Sequence, residues 1–119
     1  MGAGYGVDGG GAGSNVAVGN NALRYARNNE NVAIGHDAGF YATGSQNTFI
    51  GKDAGKGGTT SAPFSSGAKN IAIGYQALTG FTTGYENIAI GYEAGESITT
   101  GFYNTLMGYE AGEKLTTRS

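Results

Sequence analysis

The sequence predicts an all-β fold, a single-stranded-coil parallel β-solenoid of six repeats, and three observations predict it. Close copies of one pentapeptide, Asn87-Ile88-Ala89-Ile90-Gly91, begin at residues 15, 31, 47, 70, 87 and 104, with spacings of 16, 16, 23, 17 and 17 residues. Repetition at so short a period marks units that cannot bury an apolar face alone and must stack on their neighbours. Within each copy, β-branched or apolar residues alternate with a small one, as Ile71 and Ile73 do with Ala72, and period two means strand. A glycine closes every copy (Gly19, Gly35, Gly51, Gly74, Gly91, Gly108), where a corner calls for positive φ or close backbone approach.

Taken in order, residues 1–14 are a glycine-rich lead-in or linker, or else a segment ordered near an axis where only glycine fits. Residues 15–119 carry the six repeats. Seven positions after each leading Asn stands an alanine (Ala22, Ala38, Ala54, Ala77, Ala94, Ala111), which predicts a second short strand. Thr-Gly pairs such as Thr43-Gly44 then supply the other corner. The third repeat is longer by six or seven residues, and its insertion, residues 56–66, predicts a loop carrying Phe64; insertions of this kind either bind or are merely tolerated in solvent.

The faces of the strands are expected to differ. Val16, Val18, Val32, Ile34, Ile50, Ile71, Ile73, Ile88, Ile90 and Met107 are read as the strand core, filling the coil's interior or a shared core. Ala17, Ala33, Phe49, Ala72, Ala89 and Leu106 are read as packing on a second surface, which a second copy of the chain supplies most simply because closed symmetry lets one small apolar face cover itself. Thr48-Phe49-Ile50 and Thr105-Leu106-Met107 shift bulk from the first strand site to the second, so both faces are apolar. The leading asparagines (Asn15, Asn31, Asn47, Asn70, Asn87, Asn104) are expected to form an uncharged hydrogen-bonding ladder or to act as turn residues.

The chemistry the chain excludes is broad. Seven Lys and Arg stand against nine Asp and Glu, a formal charge of -2 with no basic run, so nucleic acid is not expected as a partner. With no cysteine there is neither disulfide nor thiolate metal site, and no apolar run reaches membrane-spanning length. The opening residues lack the basic and apolar regions of a signal peptide, so a chain complete at Met1 is not expected to follow the general secretory route. No catalytic residue, metal ligand set or cofactor is assigned: the lone His36 makes no triad, and the acidic column of Asp37, Asp53, Glu93 and Glu110 reads as a solvated face. Tyr75, Tyr92 and Tyr109 share one position in three successive coils; with Phe64 they are the candidate ligand contacts, as a sugar-holding strip or simply as a stabilising aromatic ladder. Thr43, Thr59, Thr82, Thr99 and Thr116, each twelve after an Asn, form a threonine column of the kind some ice-binding solenoids display.

Units such as Asn87-Ile88-Ala89-Ile90-Gly91-Tyr92-Glu93-Ala94-Gly95 and Asn104-Thr105-Leu106-Met107-Gly108-Tyr109-Glu110-Ala111-Gly112, with Thr-Thr-Gly closures, resemble the repeats of bacteriophage tail-fibre proteins and are similar to the heads of trimeric autotransporter adhesins. The resemblance spans residues 15–119. It implies a left-handed parallel β-roll, a homotrimer, and a non-enzymatic structural or adhesive fibre segment, in a virion or outside the cell, contacting host glycans. The neck and anchor of the adhesins have no counterpart here. The last repeat ends without a visible cap, which makes end-to-end stacking into an extracellular filament the alternative; an ice- or surface-binding solenoid is a third expectation.

Overall fold

The computed structural model describes residues 14–59 and 64–117. Apart from Ser14, the lead-in lies outside the described residues. Six strands of three residues each, β1 (Val16–Val18), β2 (Val32–Ile34), β3 (Thr48–Ile50), β4 (Ile71–Ile73), β5 (Ile88–Ile90) and β6 (Thr105–Met107), form one parallel sheet in sequence order. The architecture is the β-solenoid that the repeat predicts. Register is residue for residue, Val16 against Val32 and on through Ile90 against Met107. A one-residue slip would turn every alternate side chain to the wrong face, so the shared pattern locks it.

The predicted second strand is absent among the described residues, and the reason is local. Each coil carries left-handed backbone before the leading Asn, at the strand-ending Gly, and at the sixth and eighth positions after the Asn; the non-glycine cases run from φ 41° at Ser14 to 67° at Glu30. Alternating left-handed positions curl the chain too tightly for a strand. The wall still pairs with its neighbours as a ladder does. The Asp37 N–H donates down to the Asn20 carbonyl (2.9 Å), and the Gly39 N–H donates up to the Ala54 carbonyl (2.9 Å).

The two strand faces are placed the reverse way from the expectation. The middle residues Ala33, Phe49, Ala72 and Ala89 are fully buried inside the coil, with Ala17 and Leu106 packed against that core at its ends. Val16, Val18, Val32, Ile34, Ile50, Ile71, Ile73, Ile88, Ile90 and Met107 face outward; Val16 and Val18 are each 50% exposed and Met107 68%. The buried asparagines explain the reversal. The leading Asn31, Asn47, Asn70 and Asn87 are buried, and with period two the side chain two residues further on returns to that same side, which puts the middle residue inside and its two neighbours outside.

Inside, bulk is traded across the space between the strand and the opposite wall. Ala17 and Ala72 accompany Leu23 and Leu78, whereas Phe49 and Leu106 accompany glycines at the same wall position, Gly55 and Gly112. A Cβ on Gly112 would stand 2.7 Å from Leu106 Cδ1, and one on Gly55 would run into the Phe49 ring. Phe49 and Phe81 meet at 5.6 Å and fill the middle of the rod.

The insertion changes the threonine column. The Thr43 N–H donates to the Ser65 carbonyl (2.8 Å), as the Thr82 N–H does to that of Thr99 (2.9 Å), so Ser65 rather than Thr59 takes the third level. Ala42 and Ser65 form a parallel bridge, and the extra residues are those before Ser65.

Candidate assembly surface

The leading asparagines form a ladder, built differently from the amide-to-amide stack the sequence suggests. Each side-chain oxygen accepts the backbone N–H of the Asn one coil later: Asn31 to Asn15 at 2.8 Å, Asn47 to Asn31 and Asn70 to Asn47 at 2.9 Å, Asn87 to Asn70 at 3.0 Å and Asn104 to Asn87 at 3.1 Å. Each amide nitrogen from Asn31 to Asn87 donates to a glycine carbonyl at the corner that closes its own repeat, Gly44, Gly67, Gly84 and Gly101, at 2.8–3.1 Å. Within this column, side-chain-to-side-chain bonds run from Asn87 to Asn70 and from Asn104 to Asn87. Among these residues no buried side-chain polar atom lacks a partner, so the column is a support for the strand rather than a binding site.

The outward strand face has no ionisable residue: two columns of Val, Ile, Thr and Met run the length of the sheet. The two corners that bound it are aromatic at its C-terminal levels. On the corner after the strands, Tyr75, Tyr92 and Tyr109 stack in series at 5.2 and 5.0 Å, with their ring planes nearly parallel. On the corner before the strands, Tyr85 and Phe102 stack at 5.0 Å and Tyr103 lies edge-on to both. Every exposed large apolar or tyrosine side chain described lies on this face or these corners: Val16, Val18, Ile34, Tyr75, Tyr85, Tyr92, Tyr103, Met107 and Tyr109. An apolar concentration of this kind makes the face the candidate contact surface.

The candidate ligand residues fare unevenly. A sugar ring packs on an aromatic face, and both faces of Tyr92 are taken by Tyr75 and Tyr109, while Lys52 Nζ sits 5.5 Å over the Tyr75 ring. The outer face of Tyr109, 72% exposed, is the open one. Phe64 folds back from the insertion and stacks on Tyr25 (4.7 Å) and Tyr41 (5.9 Å), with Phe40 edge-on to both tyrosines. This cluster, and the Tyr85–Phe102 pair, went unread in the sequence. The spacing of one coil between Tyr25 and Tyr41, and between Tyr85 and Phe102, is the signal that finds them.

His36, Asp37 and Asp53 converge within 4.8 Å of one another. Lys56 Nζ stands between the carboxylates, 3.7 Å from Asp37 and 3.9 Å from Asp53, with Lys52 3.6 Å from Asp53. The lysines already supply the compensating charge, which makes this an ion-pair network on the corner. The hydroxyls of Thr43, Thr82 and Thr99 donate to carbonyls of the next coil at 3.2–3.5 Å, so the column is tied into the stack.

Farther along the same corner the charge is one-signed. Partial desolvation, then the neighbouring Glu96, Glu110 and Glu113, raise the Glu93 pKa above the ordinary 4.5. Glu93, followed by partial desolvation, raises that of Tyr92, and a hydrogen bond to Glu110 raises that of Tyr109. A raised folded-state value means the protonated form is favoured by folding: the Glu93 contribution is fully present below about pH 4.5 and is lost as pH climbs through the raised value. Glu93→Gln is therefore expected to raise the melting temperature by a degree or so at pH 7 and to have no effect near pH 4, with the gain shrinking in high salt. An unchanged melting temperature at pH 7 would show that these exposed charges do not oppose stacking.

No protein-family model matches the chain, and neither a curated protein nor a solved structure matches it.

Proposed function

We propose that the chain is a non-enzymatic fibre segment that assembles with copies of itself, as a parallel homotrimer, through the outward strand face. The observation that carries this reading is the uncharged double column of Val and Ile left outside a narrow interior, with the exposed aromatics gathered at its borders. The molecule extends 34 × 22 × 22 Å, so one long side presents roughly 750 Å². That is near the ~800 Å² per partner of a standard interface, and larger than the ~300 Å² of three-residue strands alone. A second copy matches the face because its columns repeat at the same ~4.8 Å spacing.

The number three, the phage-tail or surface-adhesin type and the virion or extracellular setting rest on the resemblance of the repeats. Glycan contact belongs to the proposal only at Tyr109, whose ring face is open. The alternative, end-to-end stacking, is favoured by a different observation: β1 and β6 are the two edge strands, and at one wall position the first coil carries Arg24 and the last Glu113.

The test is sedimentation velocity on the wild-type chain and on Ile88→Asp, whose side chain lies outside the coil. Wild type is expected to sediment as a trimer of 12.0 kDa chains. The variant is expected as a folded monomer, because a carboxylate on the apolar face is buried only in the assembly. A folded wild-type monomer overturns the reading, and particles that lengthen with concentration favour the filament.

A further inference from the structure

The two aromatic corners look alike in composition but lie on opposite sides of the strand face, and at which levels they occur is informative. The corner before β5 carries Tyr85 and the corner after it Tyr92; before β6 stand Phe102 and Tyr103, and after it Tyr109. Both corners are polar at the N-terminal levels, with Glu30 before β2 and His36 after it, and Gln46 before β3 and Lys52 after it.

We infer that these corners form the seam between chains, the Tyr75–Tyr92–Tyr109 ladder of one copy lying against the Tyr85–Phe102–Tyr103 cluster of the next. The inference rests on the proposed parallel assembly and specifies its contacts. Rotation about an axis along the rod keeps every level at its own height and brings the corner after the strand in one copy to the corner before the strand in its neighbour. The levels from β2 to β6 then meet suitable partners. At β2 His36 faces Glu30, at β3 Lys52 faces Gln46, at β4 Tyr75 faces Lys69, at β5 Tyr92 faces Tyr85 with Glu86 beside it, and at β6 Tyr109 faces Phe102 and Tyr103. Rings with partly exposed edges supply the edge-to-face contacts that such a seam uses.

An antiparallel pair lacks this fit. It sets the same corner of both copies together at reversed levels, so that Tyr109 faces Asn20, Tyr92 faces His36 and Tyr103 faces Ser14. Aromatic edges would then meet short polar side chains. The strand face by itself is also narrow, and the corner ladders supply the width that brings the contact to standard size.

The chain has no cysteine, which makes disulfide mapping direct. Three double variants are oxidised after their native mass is measured: Tyr85→Cys with Tyr92→Cys, Glu30→Cys with His36→Cys, and His36→Cys with Tyr92→Cys. Within one chain the strand holds each of the first two pairs on the order of 15 Å apart, beyond the ~7 Å Cα separation a disulfide tolerates. The first two are expected to give a covalent trimer on a denaturing gel without reductant. Their single variants, and the third pair, are expected to run as monomers. The polar-corner pair at Glu30 and His36 reads the seam even where loss of two tyrosines weakens assembly. A wild-type trimer in which neither of the first two pairs links, or in which the third pair links, overturns the seam and leaves the assembly standing. A monomeric wild type overturns the assembly itself.

Discussion

Asn70→Ala is expected to cost about 2–6 kcal/mol, because three buried hydrogen bonds end on that one side chain. Its oxygen accepts the Asn87 backbone N–H at 3.0 Å and the Asn87 amide at 3.2 Å, and its nitrogen donates to the Gly84 carbonyl at 3.0 Å. Asn70 and Asn87 are fully buried and Gly84 is buried too, so no water replaces what alanine removes. The loss is then the desolvation penalty of at least two orphaned groups, ~1–3 kcal/mol each, rather than the net ~1 kcal/mol of an exchanged bond. Against a total stability of about 5–15 kcal/mol for a domain of this size, the variant stands near or past the unfolding threshold. Aspartate does no better: it keeps the acceptor but loses the donor and buries a charge. Asn28→Ala is the control, since its amide bond to the Thr43 carbonyl is exposed and its loss should stay within about 1 kcal/mol. Urea denaturation at fixed protein concentration measures both; a cost below 1 kcal/mol at Asn70 would mean that the ladder does not hold the coils together.

Gly74→Ala should prevent folding, whereas Gly108→Ala should leave a folded but weakened chain. Both glycines close a strand with φ near +125°, a backbone region that costs a side-chain-bearing residue ~1–3 kcal/mol. They differ in what lies above them. A Cβ at Gly74 stands 2.5 Å from the Gly91 carbonyl oxygen and 2.8 Å from its carbon, while one at Gly108 meets nothing within 4 Å. The Gly91 backbone cannot withdraw without breaking the β4–β5 pairing, in which the Gly91 N–H bonds Ile73 at 2.8 Å. Circular dichroism melts of the two variants separate backbone strain, common to both, from the steric contact, present only at Gly74. Equal losses would show that the spacing of the coils is not enforced at this column.

Much of the fold was legible because a repeat reports itself. The strands lie at the Asn-x-x-x-Gly copies with no shift in register, since one residue pattern satisfies every level and any slip breaks it six times. The wall opposite was misread as strand because alternate left-handed residues such as Asp37 and Asp53 carry no sequence signature beyond tolerance for that conformation. Ser65 was missed because an insertion hides which residue resumes the column, and only the bond from Thr43 identifies it.

The sequence by itself determined that there are six levels, that each has an alternating strand closed by glycine, and that the two strand faces differ in side-chain size. Which face is inside was decided only by the tertiary structure. Alternation gives two sets of side chains and does not say which is inside; the corner turns bury Asn70 and Asn87, and period two then carries Ala72 and Ala89 inside while leaving Ile71, Ile73, Ile88 and Ile90 outside. The same closure in space put Tyr85 beside Phe102 and Tyr75 beside Tyr92, on the two borders of the outward face.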